Sequence, residues 1–139
     1  MMPAPFLIGL LSAFENRFQA VADSFFEEIT WKQFFAIICI NLCRESPTIN
    51  ELSEVMGSSH QNVKQILLKL EKKGFVEMIA DEKDRRKQRI VTTKKCEDFC
   101  QRNDQGSKIH MNKIFEGISQ EQLVTTIQTI SQMERNLKK

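Results

Sequence analysis

Side chains that can hydrogen-bond both to phosphate and to the edges of flat heterocycles are concentrated between positions 58 and 89. The first group is a polar run that contains Ser58, Ser59, His60, Gln61, Asn62, Lys64 and Gln65. Amide side chains can pair with adenine edges, whereas Lys and Ser suit phosphate or guanine. The second group is a charged run whose cations are Lys83, Arg85, Arg86, Lys87 and Arg89. Together the two groups have the chemistry that contacts with a nucleic acid require.

The net charge of +2 is distributed unevenly along the 139 residues. Residues 58–95 contain 11 Lys or Arg and 5 Asp or Glu, a net charge of +6, which leaves −4 on the remainder. Clustered cations attract phosphate and release its counterions, so this imbalance predicts one face that binds a polyanion. An anionic membrane surface and a hairpin that is merely solvated are the alternatives that charge alone leaves open.

Apolar spacing and capping signals predict the elements that position these groups. A helix after Pro5 is indicated by apolar residues at steps of three or four, namely Phe6, Leu10, Phe14, Phe18 and Val21. Four further helix starts have a Ser or Thr three residues before Glu or Gln, the spacing of a capping box. These pairs are Thr30/Gln33, Thr48/Glu51, Ser58/Gln61 and Ser119/Gln122. The helices predicted from them span residues 31–44, 49–56, 59–73 and 120–137.

A hairpin is predicted directly after the helix at 59–73. Lys72 and Lys73 followed by Gly74 form a typical helix end, because Gly adopts the left-handed conformation that closes a helix. Residues 75–80 and 88–92 have the composition of short strands, and the charged run between them should project into solvent. A long helix, weakened by Gly106, is predicted from Thr93 to about Phe115.

The short helix, the turn at Gly57 and the next helix form the pattern of a helix-turn-helix, in which the second helix enters a DNA major groove. The two helices are predicted to pack through Leu52, Val55, Val63, Ile66, Leu67 and Leu70. The polar run at 58–65 would then face outward, although polar residues on a surface helix are often only solvated.

The order of these features resembles the MarR (multiple antibiotic resistance regulator) family of winged helix-turn-helix transcription factors. The resemblance rests on Leu70-Glu-Lys-Lys-Gly-Phe-Val76, Asp84-Arg85-Arg86 and Ile90-Val91-Thr92-Thr93. It implies a mainly α fold with a small β wing, about six helices and a two- or three-stranded hairpin. The whole of 1–139 would be one domain, with a winged-helix lobe over about 30–93. Helices in about 5–24 and 94–139 would form a dimer.

The resemblance also implies roles for single residues. Asp84 would brace the wing through Arg85 or a residue of the recognition helix, Arg86 would reach the minor groove, and Thr93 would cap the following helix. Thr92, Cys96 and Ser53 depart from the residues usual in the family. The family senses small aromatic or anionic compounds, and the side chains expected to line such a cleft are Phe14, Phe18, Trp31, Phe34 and Phe35. Packing of these rings in the core is the alternative.

The function expected is that of a DNA-binding regulator, a ligand- or signal-responsive repressor that acts as a homodimer on an inverted-repeat operator in double-stranded DNA. The alternatives are a winged-helix module that docks on an acidic protein and a thiol or metal sensor of the same fold. Absence of a signal peptide and of a long apolar run predicts a cytoplasmic protein with no membrane partner. No pattern typical of an enzyme or of a bound cofactor is evident.

The four cysteines occur as two pairs, each one helical turn apart. Cys39 and Cys43 lie in an apolar run and are expected to pack as small hydrophobes. Cys96 and Cys100 are the redox candidates, because Lys94, Lys95 and a helix start nearby would lower a thiol pKa. A zinc site formed by both pairs is a further alternative, but the sequence favours no metal site.

Overall fold

The computed structural model describes residues 2–138, so Met1 and Lys139, the ends of the predicted domain, lie outside it. The described residues form six α-helices and one two-stranded sheet, which confirms the predicted fold class. The elements are α1 Pro3–Ala22, α2 Trp31–Leu42, α3 Ile49–Met56, α4 His60–Lys72, β1 Val76–Ala80, β2 Gln88–Thr92, α5 Lys94–Ile114 and α6 Gln120–Leu137. They fall into two compact units, one that extends to Asp104 and one that begins at Gln105 within α5.

The core of the first unit lies among α2, α3, α4 and the sheet. Leu52 of α3 and Val63, Leu67 and Leu70 of α4 are fully buried there. Burial of each such side chain contributes roughly 1.5–3 kcal/mol, so α3 and α4 are firmly joined. Val55 was predicted to share this packing, but the side chain is 50% exposed. The prediction was wrong because the buried face of α3 carries Ile49, Leu52 and Ser53, and Val55 lies to the side of that face.

The turn between α3 and α4 is built on Gly57, whose φ of 66° lies in the left-handed region. Its backbone N–H and that of Ser58 bond back to the carbonyls of Glu54 and Ser53. A residue with a Cβ is strained in this conformation, which is why a glycine ends α3.

The N-cap of α4 is one residue later than predicted. The Ser59 hydroxyl accepts from the Asn62 backbone N–H at 3.1 Å, so the predicted pair Ser58/Gln61 is wrong. Ser58 instead has its backbone engaged in the turn after Gly57. The boxes at Thr30/Gln33 and Ser119/Gln122 are confirmed, and Thr48 caps α3 through the Glu51 N–H.

The hairpin pairs β1 and β2 antiparallel, with Met78 opposite Ile90 in the centre. A third strand is reduced to one bridge between Thr48 and Arg89, beside a hydrogen bond from the Ile90 N–H to the Pro47 carbonyl. Gly74 closes α4 with a φ of 83°, as predicted. The loop between the strands therefore starts from a base that is tied to the segment before α3.

The second unit comprises the last half of α5 and the whole of α6. Gly106 lies inside α5 without interrupting it. None of the described α6 residues is buried, and the exposed apolar side chains of this helix include Val124, Ile127 and Leu137. Among the described residues, no helix is both long enough and apolar enough to cross a membrane.

Candidate nucleic-acid interface

The side chains of the polar run at the start of α4 point in three different directions around the helix. Successive residues are rotated by about 100°, and the buried Val63, Leu67 and Leu70 define the inner side. Gln61 and Gln65, one turn apart, are therefore directed away from the core. The predicted contact residues are thus not equivalent to one another.

His60 and Lys64 lie on the side of α4 that is next to the wing. They border a recess of about 510 Å³ whose other lining residues are Thr48, Ile49, Asn50, Glu51, Arg85, Arg86, Lys87 and Gln88. His60 Nδ1 lies 2.7 Å from Asn50 Oδ1, which joins the start of α4 to α3. The recess brings His60 and Lys64 of the polar run together with the cations at 85–87 of the charged run on one surface.

The wing tip is organised by two aspartates. Asp81 accepts hydrogen bonds from the backbone N–H groups of Lys83 and Asp84, at 3.2 and 2.9 Å. Asp84 in turn accepts from the backbone N–H and the Nε of Arg86, both at 3.1 Å. The hydrogen bond from the Arg86 side chain is the main reason why the pKa of Asp84 is lowered. Asp84 thus pairs with Arg86 rather than with Arg85 or a residue of α4, which corrects the expected partner.

Arg89 is held at the base of the wing. Its Nε donates to Asp81 and its Nη1 donates to the Ser46 carbonyl at 2.7 Å. The bond to Arg89 is the largest cause that lowers the pKa of Asp81. Because its guanidinium is occupied by these contacts, Arg89 has a bracing role in the wing. Arg89 and Lys83 border a different recess, together with Glu45 and Glu82.

Asp81 was not among the predicted site residues. The signal for it was present, because an aspartate directly after a strand and before a charged turn can accept backbone N–H groups two and three residues later. Its pairing with Arg89, eight residues away, depends on the hairpin register and was not visible in the sequence.

A larger cleft of about 820 Å³ lies on the other side of α4, bordered by α1 and α2. Its lining residues are Glu15, Gln19, Trp31, Lys32, Phe35, Met56, Gly57, Ser58, Asn62, Gln65 and Ile66. Trp31 and Phe35 stack with centroids 6.3 Å apart, and Lys32 lies 4.0 Å from Glu15. Of the predicted contact residues, Ser58, Asn62 and Gln65 therefore border this cleft, and Gln65 lies at its outer edge.

Three of the five rings expected in the cleft do not line it. Phe14 stacks on Phe18, and Phe18 makes an edge contact with Trp31. Phe34 packs on the buried Phe26, with ring centroids 4.6 Å apart. Phe34 thus packs against the core, as the alternative held, whereas Phe14 is 51% exposed on α1 and belongs neither to the cleft nor to the core.

Residues 29–87, which extend from just before α2 to Lys87 in the wing, match the model of the MarR family. The chain carries a MarR-family domain. This match confirms the resemblance, and it covers the polar run of α4 and the charged run of the wing as far as Lys87.

Solved structures share the fold of the MarR domain and of its flanking helices at low sequence identity. A MarR/EmrR family transcriptional regulator from Acinetobacter sp. ADP1 superimposes with a TM-score of 0.86 at 11% identity, over 99% of each chain. MepR from S. aureus, solved as a DNA complex, has a TM-score of 0.81 at 17% identity, over 99% of each chain. BpsR from Bordetella bronchiseptica, whose DNA binding is regulated by 6-hydroxynicotinic acid, has a TM-score of 0.78 at 15% identity, over 91% of each chain.

The cysteine pair that follows the MarR domain does not have lowered thiol pKa values. Cys96 is 1% exposed, and burial, followed by the neighbouring Cys100, raises its pKa to about 12. Burial also raises the pKa of Cys100. The expectation of an activated thiol was wrong chiefly because both thiols are withdrawn from solvent, and in addition the Lys95 Nζ donates to the Lys73 carbonyl at 2.7 Å. Thr93 caps this turn through the Cys96 N–H, as the resemblance implied.

Within the MarR domain, Cys39 is buried and its pKa is raised chiefly by burial. Cys43 donates from Sγ to the Cys39 carbonyl at 3.3 Å. The described residues contain no group of three or more His, Cys, Asp or Glu side chains that could hold a metal ion.

Proposed function

We propose that this chain is a sequence-specific regulator of transcription that binds double-stranded DNA as a homodimer on an inverted-repeat operator. The observation that carries the proposal is the recess in which His60 and Lys64 of α4 meet the Arg85–Lys87 segment of the wing. Two elements that present cations and amides to one surface suit a duplex, whose backbone carries a dense row of phosphates.

In this proposal α4 enters the major groove as the recognition helix. Gln61 and Gln65 contact base edges, while Lys64, Arg85 and Lys87 contact the phosphates beside the recess. The Arg86 side chain is 91% exposed and reaches toward the adjacent minor groove, with Asp84 fixing its direction. The solved MepR–DNA complex, which has the same fold, supports this mode of binding.

The cleft beside Asn62 is proposed to bind a small aromatic anion. Trp31 and Phe35 supply an aromatic surface, and Lys32, which lies 4.0 Å from the Glu15 carboxylate in the same cleft, would exchange this partner for the anionic group of the ligand. Because Asn62 and Gln65 line this cleft from α4, a bound ligand would touch the recognition helix directly and change its position in the groove. The ligand-regulated neighbour BpsR supports a ligand-responsive repressor.

The terminal helices are proposed to form the dimer. Exposed apolar side chains occur on α1 at Phe6, Leu10 and Phe14, and on α6 at Val124 and Ile127. Apolar faces of this size are usually covered by a partner, and a twofold dimer would present two recognition helices to successive turns of DNA. The winged-helix lobe at about 30–93 would then be carried by dimerisation helices at about 5–24 and 94–139.

A regulator of this kind would act in the cytoplasm and would bind rather than catalyse. The family match supports a general role in the regulation of transcription. Docking of the basic recess on an acidic protein is the competing use of the same surface, and the outward amides of Gln61 and Gln65 favour DNA over it.

The wing contact is tested by the salt dependence of DNA binding in an Arg86→Ala variant. Loss of one cation that displaces a counterion from the DNA should reduce the slope of log affinity against log salt by about 1 and weaken binding to all sequences. The control is Lys113→Ala, which removes the same charge from an exposed position in the second unit. If Arg86→Ala and Lys113→Ala leave the slope equally unchanged, the wing does not contact DNA.

A further inference from the structure

Leu68 is an apolar residue on the outward surface of α4. It is 43% exposed, whereas its neighbours Leu67 and Leu70 are fully buried in the core. Positions 61, 65, 68 and 72 follow steps of four, three and four, so Leu68 lies on the same stripe as Gln61, Gln65 and Lys72. The outer stripe of the helix is therefore amide, amide, leucine and lysine.

The surroundings of Leu68 restrict what can cover it. The stripe has cations on both sides, because Lys64 and Lys69 of α4 are also exposed. A partner that fits this surface must combine negative charge with a small apolar group at one point. Duplex DNA has both in its major groove, where the C5-methyl group of thymine lies between two rows of phosphates.

We propose that Leu68 is a specificity-determining residue that contacts a thymine methyl group in the major groove. This inference rests on the proposed DNA-binding function. Leu68 makes an operator position favour thymine over cytosine, and it does so by excluding water from a methyl group rather than by hydrogen bonding.

The spacing along the helix adds a positional expectation. Leu68 is seven residues after Gln61, which is about 10.5 Å along an α-helix that rises 1.5 Å per residue. One DNA strand advances about 3.4 Å per nucleotide, so positions contacted from points about 10.5 Å apart on the helix are separated by at most about three base pairs along the duplex. The thymine should therefore lie within about three base pairs of the base that Gln61 contacts.

The test isolates the methyl group on the DNA side. The full chain is first used to select its preferred duplex from a random pool, and each thymine of that duplex is then replaced singly by deoxyuridine. For the wild-type chain, one thymine per half-site should give about a fourfold loss of affinity, the value of one buried methyl group. In Leu68→Ala that loss should disappear, while the penalty for changing the base that Gln61 contacts should persist.

Two further variants keep the test specific. Leu42→Ala removes an exposed leucine from the end of α2 and should retain the full deoxyuridine penalty. Leu68→Met keeps an apolar side chain and should retain most of it. Alanine favours helix, so Leu68→Ala should keep the unfolding midpoint of the wild-type chain.

The outcomes separate this inference from the proposed function. If deoxyuridine costs nothing in wild type, or costs the same in wild type and Leu68→Ala, the role of Leu68 is refuted while DNA binding stands. If the chain selects no duplex at all, the proposed function fails and the inference fails with it.

Discussion

Asp81 fixes the wing through a small set of bonds around one carboxylate. It joins the backbone of the tip to Arg89, and Arg89 joins the wing to the Ser46 carbonyl before α3. This arrangement holds Arg85, Arg86 and Lys87 beside α4. The wing is therefore positioned by residues that need not contact DNA themselves.

Replacement of Asp81 by Asn should lower the free energy of unfolding at neutral pH. The bond to Arg89 depresses the pKa of Asp81 in the folded chain below its ordinary value of 3.8. Its contribution to stability is therefore fully present above the unfolded pKa and is lost as the pH falls through the lower, folded pKa. The difference between wild type and Asp81→Asn should shrink below about pH 4.

This dependence is measured by denaturant unfolding of both proteins between pH 2 and pH 8, in steps of about one pH unit. Glu82→Gln is the matched control, because it removes the same charge from an exposed neighbour. A difference between wild type and Asp81→Asn that stayed constant down to pH 2 would refute the ionic role of Asp81.

At the scale of single residues, the sequence predicted chemical types better than partners. The cations of the wing and the amides of α4 were identified, because charge and composition are local properties. The pairing of Asp81 with Arg89 depends on strand register, and the orientation of Lys95 away from Cys96 depends on where α4 ends. Neither can be inferred from spacing along the chain.

Among the elements, α4 depends on the turn that precedes it. The Ser59 hydroxyl satisfies the Asn62 N–H, whereas Ser58 contributes its backbone to the turn. Ser59→Ala should therefore destabilise the free chain by about 1 kcal/mol, within the usual range for loss of an N-cap. Ser58→Ala should cost much less.

The measurement is the free energy of unfolding of both variants without DNA, so that any contact of these serines with phosphate does not contribute. Equal destabilisation by the two substitutions, or a larger loss of unfolding free energy in Ser58→Ala, would contradict Ser59 as the N-cap. The structure predicts the opposite order.

Helix and strand positions were largely predictable, because capping signals and the glycines at 57 and 74 lie within a few residues of the ends they define. Two features at this scale were not. Val55 follows Leu52 by three residues but lies beside the face of α3 that is buried. The rings of Phe14, Phe18 and Phe34 have the composition of a ligand cleft, yet the ring that each of them contacts is decided by tertiary packing.

For the molecule as a whole, the proposed dimer makes a prediction about association. Ile127 is 56% exposed on α6, where none of the described residues is buried. Ile127→Glu should shift the chain toward monomer, because a charge would be buried in an apolar interface. It should also weaken binding to an inverted repeat, since two half-sites would no longer be contacted together.

Sedimentation of the wild type and of Ile127→Glu measures this association. Gln128→Glu adds the same charge one residue further along α6 and serves as control. A wild-type chain that sediments as a monomer at all concentrations, or a variant that associates as strongly as wild type, would contradict the dimer proposed for the terminal helices.

The central claim is that α4 reads base sequence while the wing contacts the backbone. It is tested most directly by the affinity of the full chain for its selected duplex and for a scrambled duplex, compared between wild type and Gln61→Ala over a series of salt concentrations. The account predicts that Gln61→Ala loses roughly 1–3 kcal/mol of preference for the selected duplex, while affinity for the scrambled duplex and its salt dependence remain those of wild type. Equal loss on both duplexes, or no preference in the wild-type chain, would contradict it.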